Sequence, residues 1–552
     1  MSQRKLSRRE FLESAGAAAA FGMLGGGASL SLVSGAIAAP GKPIPPLSVM
    51  YYGTYQEYVE FWRKAAVDLK RIGLTVILNP AAMPTVITKT KAHDYGDIAG
   101  ILWGAVPNRL DPSFLLTELL HSAHSVKGSR NFGKYRSAKY DAACDAQNQE
   151  MDMNKRQKLV WEAQAIAAAD YPIWWLYHRF VMDAYNKRDF EGAVEMMGSG
   201  YGYVTNMWTY LRMRPKTGRK TLRGGTANDI DSLNPFTATS SPNRALMRYF
   251  YDTFAQIGPD LKPQPWAAES WRVVNSTTVD LVLRKGMKFH DGRPVTGEDV
   301  RFTFDYLVKW NFPNFKETLD VIKGVEIKDW NIRFNLKKPF APFFFITLTG
   351  LFILPRHIWE KIPQSVGLKD PGKYLNPNPI GSGPFLFGHW RKGQEIYFKA
   401  NKDHFAAPVL NDFYFKIIPS TDGLAGAIER GEIDIVQYPL TPVLAERLRE
   451  LPFLQVGNTP SHAVYEMRPD LEKKPFDDVN FRKAVYHAFD RRPFINYYGG
   501  GIQASNTPIT PLSKFWHNPN LPAPEYSIDK AKAVLQRAGY TWDSQGNLCF
   551  PL

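Results

Sequence analysis

The chain has 552 residues, a formal charge of +15, and 44% apolar and 22% charged residues, a balance that excludes a mostly disordered protein. Its two cysteines, Cys144 and Cys549, exclude a scaffold of several disulfides and a four-cysteine metal site, and they leave open whether one disulfide forms. No internal stretch of about 18 apolar residues predicts a transmembrane helix.

The N-terminus has the three parts of a secretory signal. Arg8 and Arg9 precede Phe-Leu, an Ala/Gly-rich stretch covers 15–33, and an A-x-A pattern ends at Ala38. The paired arginines resemble the twin-arginine export signal. We expect residues 1–38 to be cleaved near Ala38 and the mature protein to be periplasmic; a Sec-type signal or a retained anchor is the alternative. An exported protein rarely meets nucleic acid, so we expect no nucleic-acid partner.

The next elements follow the order of a βαβ unit. Residues 47–52 predict a strand, apolar residues from Tyr58 to Ile72 recur at helical spacing, and 74–78 predict a second strand. Two strands joined in this way by a helix imply a parallel sheet. Residues 97–103 predict another strand. Asn154 is placed to cap a helix that runs to about Asp170.

The stretch 212–223 differs from its surroundings in charge. It contains six basic residues and no acidic one, and Pro215, Gly218, Gly224 and Gly225 interrupt any regular pattern around it. This composition predicts an exposed linker over 212–226. The linker contributes +6 and the signal +2 to the formal charge, which leaves a modest excess for the rest of the protein.

Strands and helices alternate again beyond the linker, so the fold class is α/β. Alternating apolar residues predict the strands, apolar residues at helical spacing predict the helices, and Gly-rich clusters predict the turns. The strands are at 276–284, 331–336 and 396–399, the helices at 296–310, 421–430 and 477–490, and the turns at 288–292 and 380–385.

Eight short motifs follow one another between residues 221 and 552. They are Asp231-Ser-Leu-Asn-Pro235, Pro265-Trp-Ala-Ala-Glu-Ser-Trp271, Leu283-Arg-Lys-Gly-Met-Lys-Phe-His-Asp-Gly292, Thr296-Gly-Glu-Asp-Val300, Gly381-Ser-Gly-Pro-Phe385, Gly431-Glu-Ile-Asp434, Pro475-Phe-Asp-Asp-Val-Asn-Phe-Arg-Lys-Ala484 and the stretch 531–540. In this order they resemble the extracellular solute-binding proteins of family 5, which are the peptide- and nickel-binding components of ABC importers.

The first part of the chain resembles the same family, but out of order. The stretches 51–78, 97–103, 111–114, 135–141 and 170–177 look like the family's late region. Read circularly, residue 552 runs on into 47 and restores the usual order. The resemblance therefore implies a circular permutation, with 212–223 joining the family's usual ends. A rearranged gene whose product does not fold is the alternative.

The resemblance implies a type II periplasmic-binding-protein fold, with two α/β lobes that close about a hinge around a cleft. Lobe one would collect 186–251 and 376–455, with an additional subdomain at 252–375. Lobe two would combine 47–185 with 456–552. The two predicted strands at 47–52 and 74–78 must then share a sheet with elements from 456–552.

The resemblance also directs attention to the end of the strand at 97–103. In the family's peptide binders, an aspartate shortly after a tryptophan pairs with the peptide's α-amine. Here the matching run is 103–107, and Val106 stands where that aspartate would be. A buried ammonium without a carboxylate partner is costly, which argues against a free peptide N-terminus as the recognised group. Trp103 and Gly104 remain candidates for the cleft, although Trp103 at a strand end could equally pack in the core.

Two further places are candidate ligand contacts. Arg468 could bind a carboxylate or phosphate in bidentate fashion with Glu466 orienting it, or the two could form a structural pair. Ser240, Ser241 and Arg244 follow the first strand of the resembling region, where family members approach the ligand; the alternative is a solvated loop with a helix cap. The neighbouring aromatic residues, Tyr249 and Tyr251, are expected to pack in the core.

Metal and catalytic sites are not indicated. His121 and His124 lack an apparent third ligand, and His290-Asp291 belongs to a turn motif. The run 128–134 matches a phosphate-loop spacing, but Tyr135 replaces the residue that would hold magnesium, and no strand precedes it. No nucleophile motif is present. We expect no cofactor, no metal and no catalytic residue.

These observations predict a periplasmic solute-binding protein of an ABC importer that captures a peptide or peptide-like solute and delivers it to a membrane permease. We expect a monomer. Acidic or amide-capped compounds and small oligosaccharides are alternative solutes. An extracytoplasmic ligand sensor and an enzyme on the same scaffold are alternative functions.

Overall fold

The structure is a computed structural model that describes residues 41–552 apart from 54–55, 106–108, 239–240, 313–314, 366, 368–369, 493–494, 496–500 and 523–524. The side chains of 56–57, 241, 317, 365 and 501–503 are also outside the description. The predicted signal, with Arg8, Arg9 and Ala38, lies outside the described residues.

The described strands, numbered along the chain, form three larger sheets and three two-stranded pairs. They are β1 (Leu47–Tyr52), β2 (Val76–Ala81), β3 (Ile98–Trp103), β4 (Trp174–Val181), β5 (Ala184–Asn186), β6 (Phe190–Glu191), β7 (Arg214–Pro215), β8 (Thr221–Thr226), β9 (Ala255–Ile257), β10 (Pro263–Pro265), β11 (Ala268–Asn275), β12 (Thr278–Leu283), β13 (Ile322–Lys328), β14 (Asn331–Leu336), β15 (Phe385–Arg391), β16 (Glu395–Ala400), β17 (Asp412–Ile417), β18 (Ile435–Val436), β19 (Leu454–Val456), β20 (Thr459–Pro469), β21 (Gly501–Gln503), β22 (Thr541–Trp542) and β23 (Leu548–Cys549).

The described α-helices cover the faces of these sheets. They are α1 (Gln56–Lys70), α2 (Met83–Lys91), α3 (Ala138–Gln149), α4 (Met153–Asp170), α5 (Met207–Arg212), α6 (Ser241–Phe250), α7 (Gly297–Trp310), α8 (Lys316–Val321), α9 (Phe343–Gly350), α10 (Arg356–Trp359), α11 (Ile362–Ser365), α12 (Thr421–Glu429), α13 (Pro442–Arg449), α14 (Val479–Ala488) and α15 (Ile528–Arg537). None of the helices in the described part of the chain has the length and apolarity that crossing a bilayer requires.

The first large sheet combines strands from both ends of the described chain. Its order is β2-β1-β3-β20-β4-β21. β1 lies parallel to both β2 and β3, as the βαβ pattern predicts, and β20 lies antiparallel to β3. The strands at 47–52 and 76–81 therefore share a sheet with 459–469, although β2 begins two residues later than predicted. We call this sheet and its helices lobe two.

The second large sheet has the order β15-β16-β17-β8-β18-β5-β19. Its central strand, β8, corrects the prediction of an exposed linker over 212–226. The glycines that suggested a break allow close packing instead: a Cβ on Gly224 would lie 2.5 Å from the Phe415 ring, and one on Gly225 would lie 2.6 Å from Ile433. Within the predicted linker, only Met213 and 216–220 lie outside helix and strand; Met213 is buried, and 216–220 are exposed.

The third sheet, β11-β12-β14-β13, lies between residues 268 and 336. Its buried side chains, such as Val279 and Phe334, belong to the same hydrophobic cluster as Phe398 and Phe413 of the seven-stranded sheet. The four-stranded sheet therefore shares a core with the seven-stranded sheet, and we call the two sheets with their helices lobe one. The α/β class is confirmed.

The segment at 41–44 pairs with the segment at 548–550. The Gly41 amide donates to the Phe550 carbonyl (3.1 Å), the Ile44 amide to the Leu548 carbonyl (2.7 Å), and the Phe550 amide to the Lys42 carbonyl (2.9 Å). The indole of Trp542 also donates to the Ile72 carbonyl at the end of α1 (2.9 Å). Residues 541–550 thus complete lobe two beside the entry to β1.

Helix α4 begins one residue before the predicted cap. The carboxylate of Asp152 accepts hydrogen bonds from the amides of Asn154 and Lys155, so Asp152 is the N-cap and Asn154 lies in the first turn. Asp and Asn are both good N-cap residues, and here they lie two positions apart, at 152 and 154.

Candidate ligand-binding cleft

The carboxyl ends of three lobe-two strands point towards lobe one. β1, β3 and β4 run in the same direction, because β20 lies antiparallel to both β3 and β4. The chain crosses between the lobes twice at this edge. It passes from β4 to β5 of lobe one between Val181 and Ala184, and it returns from β19 to β20 of lobe two through residues 457–458. A crevice beyond the carboxyl ends of sheet strands is a common place for a ligand in α/β proteins.

Trp103 is the last residue of β3 and lies at this edge. It is half-buried and packs against two of the hydrophobic clusters of lobe two. Phe114 meets its ring edge to face, with 5.7 Å between the centroids. The next residue, Gly104, is also half-buried. Both candidates therefore lie at the mouth of the cleft.

Arg109 covers the two aromatic rings. Its guanidinium carbon lies 5.4 Å from the Trp103 centroid and 4.8 Å from the Phe114 centroid, within the range of cation–π attraction. Its Nη1 donates to the Gly104 carbonyl at 2.6 Å. Burial, together with the positive charges of Arg130 and Arg244, lowers the pKa of Arg109 to about 9. The guanidinium is thus held in place by rings and backbone, and none of the ion pairs among the described residues includes it.

A buried ion pair fixes the segment that carries Arg109. Arg156 of α4 donates from Nη1 and Nη2 to the two oxygens of Asp111, at 2.8 and 2.7 Å. Both side chains are entirely buried. Gln147 accepts from the same guanidinium, so the pair is well hydrogen-bonded. Such a pair holds its backbone segment tightly, because separating the charges would leave each one buried alone.

Arg130 stands on the other side of Phe114. Its guanidinium carbon lies 5.3 Å from the Phe114 centroid, so one aromatic ring contacts two arginines. Arg130 also donates to the carboxylate of Glu118. Burial raises the pKa of Glu118, while Arg130 and Arg109 lower it. Glu118 therefore neutralises part of this positive group.

Helix α6 of lobe one contributes two more arginines, one helical turn apart. Arg244 is exposed, yet enough protein surrounds its guanidinium to lower its pKa, and repulsion from Arg130 lowers it further. Arg248 donates to the Thr349 carbonyl at 3.2 Å, and burial lowers its pKa to about 10, with a contribution from Arg244. Because Arg109 and Arg130 belong to lobe two, guanidinium groups from both lobes converge on one region.

A small pocket opens beside Arg109. Its walls are largely apolar side chains of lobe two, with Met197 approaching from lobe one, and include Leu110, Leu115, Ile509 and Trp516. A positively charged group at the mouth of an apolar pocket suits a ligand that combines an anionic group with an apolar part.

Glu466 and Arg468 form the structural pair that was the alternative to ligand binding. Both side chains are completely buried, and the Arg468 Nη2 lies 2.8 Å from the Glu466 Oε1. The Arg468 Nη1 donates to the Leu119 and Arg130 carbonyls, at 3.1 and 2.7 Å, and its guanidinium lies 4.3 Å from the Phe132 centroid. In this structure the hydrogen bonds of Arg468 go to the protein's own groups, which corrects the prediction that Glu466 and Arg468 face the ligand.

The remaining predicted contacts have mixed outcomes. Ser240 lies outside the described residues, and Ser241 begins α6 with its side chain not described. Arg244 lies in the convergent group of arginines. Tyr249 and Tyr251 are fully buried in the core of lobe one, as predicted.

The histidines that the sequence drew attention to have structural surroundings. The His290 Nε2 lies 3.0 Å from the Gly383 carbonyl, which ties two turns of lobe one together. The His121 Nδ1 accepts from the Ala123 amide, so it caps a short turn. Within the described part of the chain, no three His, Cys, Asp or Glu side chains are grouped as metal ligands.

Three of the arginines, Arg109, Arg130 and Arg248, were missed by the sequence analysis. Arg109 lies only six residues after Trp103, in a stretch without any acidic residue, and this was the available signal. Arg130 and Arg248 come from a loop and from the second turn of α6. Their approach to Arg109 depends on how the two lobes face each other, which no local pattern encodes.

The hinge contains a buried carboxylate. Asp183 lies between β4 and β5, and one of its oxygens accepts from the Tyr201 and Gly202 amides, at 2.6 and 2.7 Å. Burial raises the pKa of Asp183 to about 7, against the lowering effect of these two hydrogen bonds. Its backbone carbonyl accepts from Gly457 of the other crossing (2.8 Å), so the two connecting segments are hydrogen-bonded to each other.

Comparison with known proteins identifies the family. Residues 262–549 match the model of the bacterial extracellular solute-binding proteins, family 5 Middle, which covers more than half of the chain. The chain belongs to this family. Among curated relatives, the oligopeptide-binding protein AppA of Bacillus subtilis (strain 168) is 28% identical over 332 residues, which are 58% of this chain and 60% of AppA. The dipeptide-binding protein of Escherichia coli (strain K12) is 28% identical over 302 residues, which are 50% of this chain and 55% of that protein.

Solved structures of similar proteins match a similar share of the chain. AppA from Bacillus subtilis in complex with a nonapeptide aligns with a TM-score of 0.46 at 26% identity, over 59% of this chain and 65% of AppA. NikZ from Campylobacter jejuni in complex with Ni(L-His) aligns with a TM-score of 0.47 at 21% identity, over 60% of this chain and 66% of NikZ. The chain thus spans about 55–66% of the length of these relatives.

Proposed function

We propose that this family 5 protein is the periplasmic solute-binding subunit of an ABC importer. It captures a peptide or peptide-like solute between its lobes and presents the closed form to a permease in the inner membrane, and it acts as a monomer without chemistry. The observation that carries the proposal is the architecture of the cleft: two connecting segments join the lobes at one edge, and half-buried aromatic and charged side chains line that edge. Hinge closure follows from such a connection.

The peptide-like class of solute is supported by the relatives. Both curated relatives described above carry names that refer to peptides. The apolar side chains that line the pocket beside Arg109 suit contact with an apolar part of such a solute.

We further propose that the chain is a circular permutation of the family order and that residues 1–38 direct its export through a twin-arginine signal with Arg8 and Arg9. Support for the permutation comes from the sheet of lobe two, in which β1 and β3 lie beside β20, and from the pairing of 41–44 with 548–550. Domain boundaries follow from the same arrangement, with 47–185 and 456–552 in lobe two, 186–251 and 376–455 in lobe one, and 252–375 as an additional subdomain.

A test of solute binding uses protein purified without denaturation after export. Native mass spectrometry should show a complex heavier than the polypeptide, and denaturation followed by refolding should remove the added mass. Small-angle scattering should then show a smaller radius of gyration when the released molecule is returned. Recovery of a chemically altered molecule would contradict a transport role, because a binding subunit releases its solute unchanged.

The permutation has its own test. A chain that begins at residue 221, continues to 552 and then runs from 41 to 215 restores the family order and omits only 216–220 of the stretch 41–552. We expect it to fold with the same circular dichroism spectrum and to retain the same bound mass. An unfolded product would show that the present order of segments is essential to the fold.

A further inference from the structure

Ion pairing differs among the four convergent arginines of the cleft. Arg130 has Glu118 as an ion-pair partner, whereas none of the ion pairs in the described part of the chain includes Arg109, Arg244 or Arg248. The Nε of Arg109 is buried and has no hydrogen-bond partner among the described residues. Glu118 offsets part of the charge of Arg130 and Arg109, and Asp231 offsets part of the charge of Arg244. The cleft therefore holds an excess of positive charge that the described acidic residues neutralise only in part.

The local sequence adds no compensating charge. The run from Trp103 to Arg109 contains no acidic residue, and Val106 occupies its middle. Gathering like charges in a partly buried place costs free energy, and such groups more often have partners. An arrangement of this kind at a cleft is typical of a site whose countercharge arrives with a ligand.

The guanidinium of Arg109 is already held in position before an anion binds. Two rings and the Gly104 carbonyl hold its guanidinium, so little side-chain freedom remains to be lost when an anion binds. A guanidinium matches the two oxygens of a carboxylate or phosphate with parallel hydrogen bonds. Arg244 comes from the other lobe, so one anionic group between the two would draw the lobes together.

We infer that the solute carries a carboxylate or phosphate group that binds between Arg109 of lobe two and Arg244 of lobe one. This inference rests on the proposed solute-binding function and specifies the chemistry of the solute. In this arrangement the anion, rather than an ammonium group, fixes the solute's orientation. Its charge relieves the repulsion among the arginines, and its remaining part can lie against the apolar side chains beside Arg109.

The experiment compares four proteins: the wild type, Arg109→Gln, Arg244→Gln and the control Arg272→Gln. Arg272 is an exposed arginine of the four-stranded sheet, with 76% of its side chain accessible. Thermal unfolding and calorimetric titration use three probes, inorganic phosphate, citrate and N-acetyl-trialanine, each against sodium chloride at equal ionic strength. N-acetyl-trialaninamide is the neutral counterpart of the third probe.

At least one anionic probe should raise the melting temperature of the wild type and of Arg272→Gln. The two cleft variants should lose about 10- to 100-fold in affinity for that probe, as expected when a hydrogen-bonded charge is removed. A response to phosphate alone indicates a phosphate-bearing solute, and a response to the carboxylates alone indicates a carboxylic acid. Measurable binding of N-acetyl-trialanine that is matched by its amide would overturn the inference.

Mass spectrometry of co-purified molecules separates this inference from the function on which it rests. A bound molecule with a carboxylate or phosphate, lost from Arg109→Gln and kept by Arg272→Gln, supports both. A neutral or cationic molecule that Arg109→Gln retains would overturn the inference and leave solute binding intact. If no molecule co-purifies and no probe changes the melting temperature, both fail.

Discussion

Lobe two contains arginines that are fully buried in ion pairs and one arginine, Arg109, that is half-buried without an ion pair among the described residues. We interpret the first kind as structural and the second as a candidate ligand contact. Arg156 and Arg468 are completely buried, and each has a carboxylate partner within 3 Å. Arg109 is half-buried at the edge of the sheet and has aromatic rings and one carbonyl instead. A paired buried charge stabilises only its own surroundings, whereas an unpaired one at a cleft is available to a ligand. Burial alone does not distinguish a structural arginine from a binding one; the partner does.

The largest effect is expected at the fully paired arginine. Arg156→Met should lower the free energy of unfolding by about 3–5 kcal/mol, because Asp111 would stay buried without its countercharge. Chemical unfolding of the ligand-free protein measures this loss. The exposed Arg272→Gln is the control, and a loss below about 1 kcal/mol for Arg156→Met would contradict the importance of the pair.

The pair of Glu466 and Arg468 tests the same comparison with a double-mutant cycle. Arg468→Met should destabilise the ligand-free protein by about 3 kcal/mol, since Glu466 then remains buried alone. The double variant Glu466→Gln/Arg468→Met should recover part of the loss, as a double-mutant cycle of a coupled pair requires. If Arg468→Met instead left the ligand-free stability unchanged and abolished solute-induced stabilisation, Arg468 would be a binding residue after all.

Asp183 extends the comparison to a buried acid that has hydrogen bonds but no countercharge. Its pKa is raised from the ordinary value to about 7. A raised pKa in the folded state means that its contribution to stability is complete below about pH 4 and is lost as the pH rises through 7. The stability of Asp183→Asn relative to wild type should therefore increase between pH 4 and pH 8, by more than about 1 kcal/mol.

Melting temperatures of the two proteins at several pH values test this expectation for Asp183. Asp305→Asn is a suitable control, because Asp305 is exposed and none of the ion pairs among the described residues includes it. A difference between wild type and Asp183→Asn that stays constant across the range would show that the Asp183 carboxyl titrates in the folded protein as it does in the unfolded chain.

The smallest effect is expected at an unpaired arginine. Arg244→Gln should leave the ligand-free protein as stable as wild type or more stable by up to about 0.5 kcal/mol, because it removes repulsion at an exposed, solvent-screened position. Thermal unfolding without added solute measures it. A clear loss of stability would mean that Arg244 has a structural role and would weaken the contrast with Arg156.

Local patterns predicted much of the fold. Alternating apolar residues located β14 at its observed bounds, and helical spacing located α7 to within a residue. The same reasoning failed at β8, where two glycines in a basic stretch were interpreted as breaks. Gly224 and Gly225 are needed because the Phe415 and Ile433 side chains approach the strand too closely for a Cβ. That approach is tertiary packing, which a single strand does not reveal.

The candidate site was harder to predict. Trp103 and Arg244 were selected from motif positions and lie at the cleft, while Arg468 was selected for its charge and lies in the core. Glu466 and Arg468 are two apart in β20, so their side chains leave the same face of the strand, a relation that favours pairing. Arg109 carried only a weak signal, because its importance comes from a group on the opposite lobe.

The position of β20 in the sheet of lobe two has a consequence for how the protein reaches its folded state. β20 pairs with β3, which precedes it by more than 350 residues, whereas the sheets of lobe one come from the uninterrupted stretch 184–456. Lobe one can therefore collapse as soon as its own stretch is complete. Until β20 is available, β3 has an open edge, and exposed strand edges promote aggregation during slow, non-local folding. The late strand thus leaves the sheet of lobe two with an open edge between synthesis and assembly.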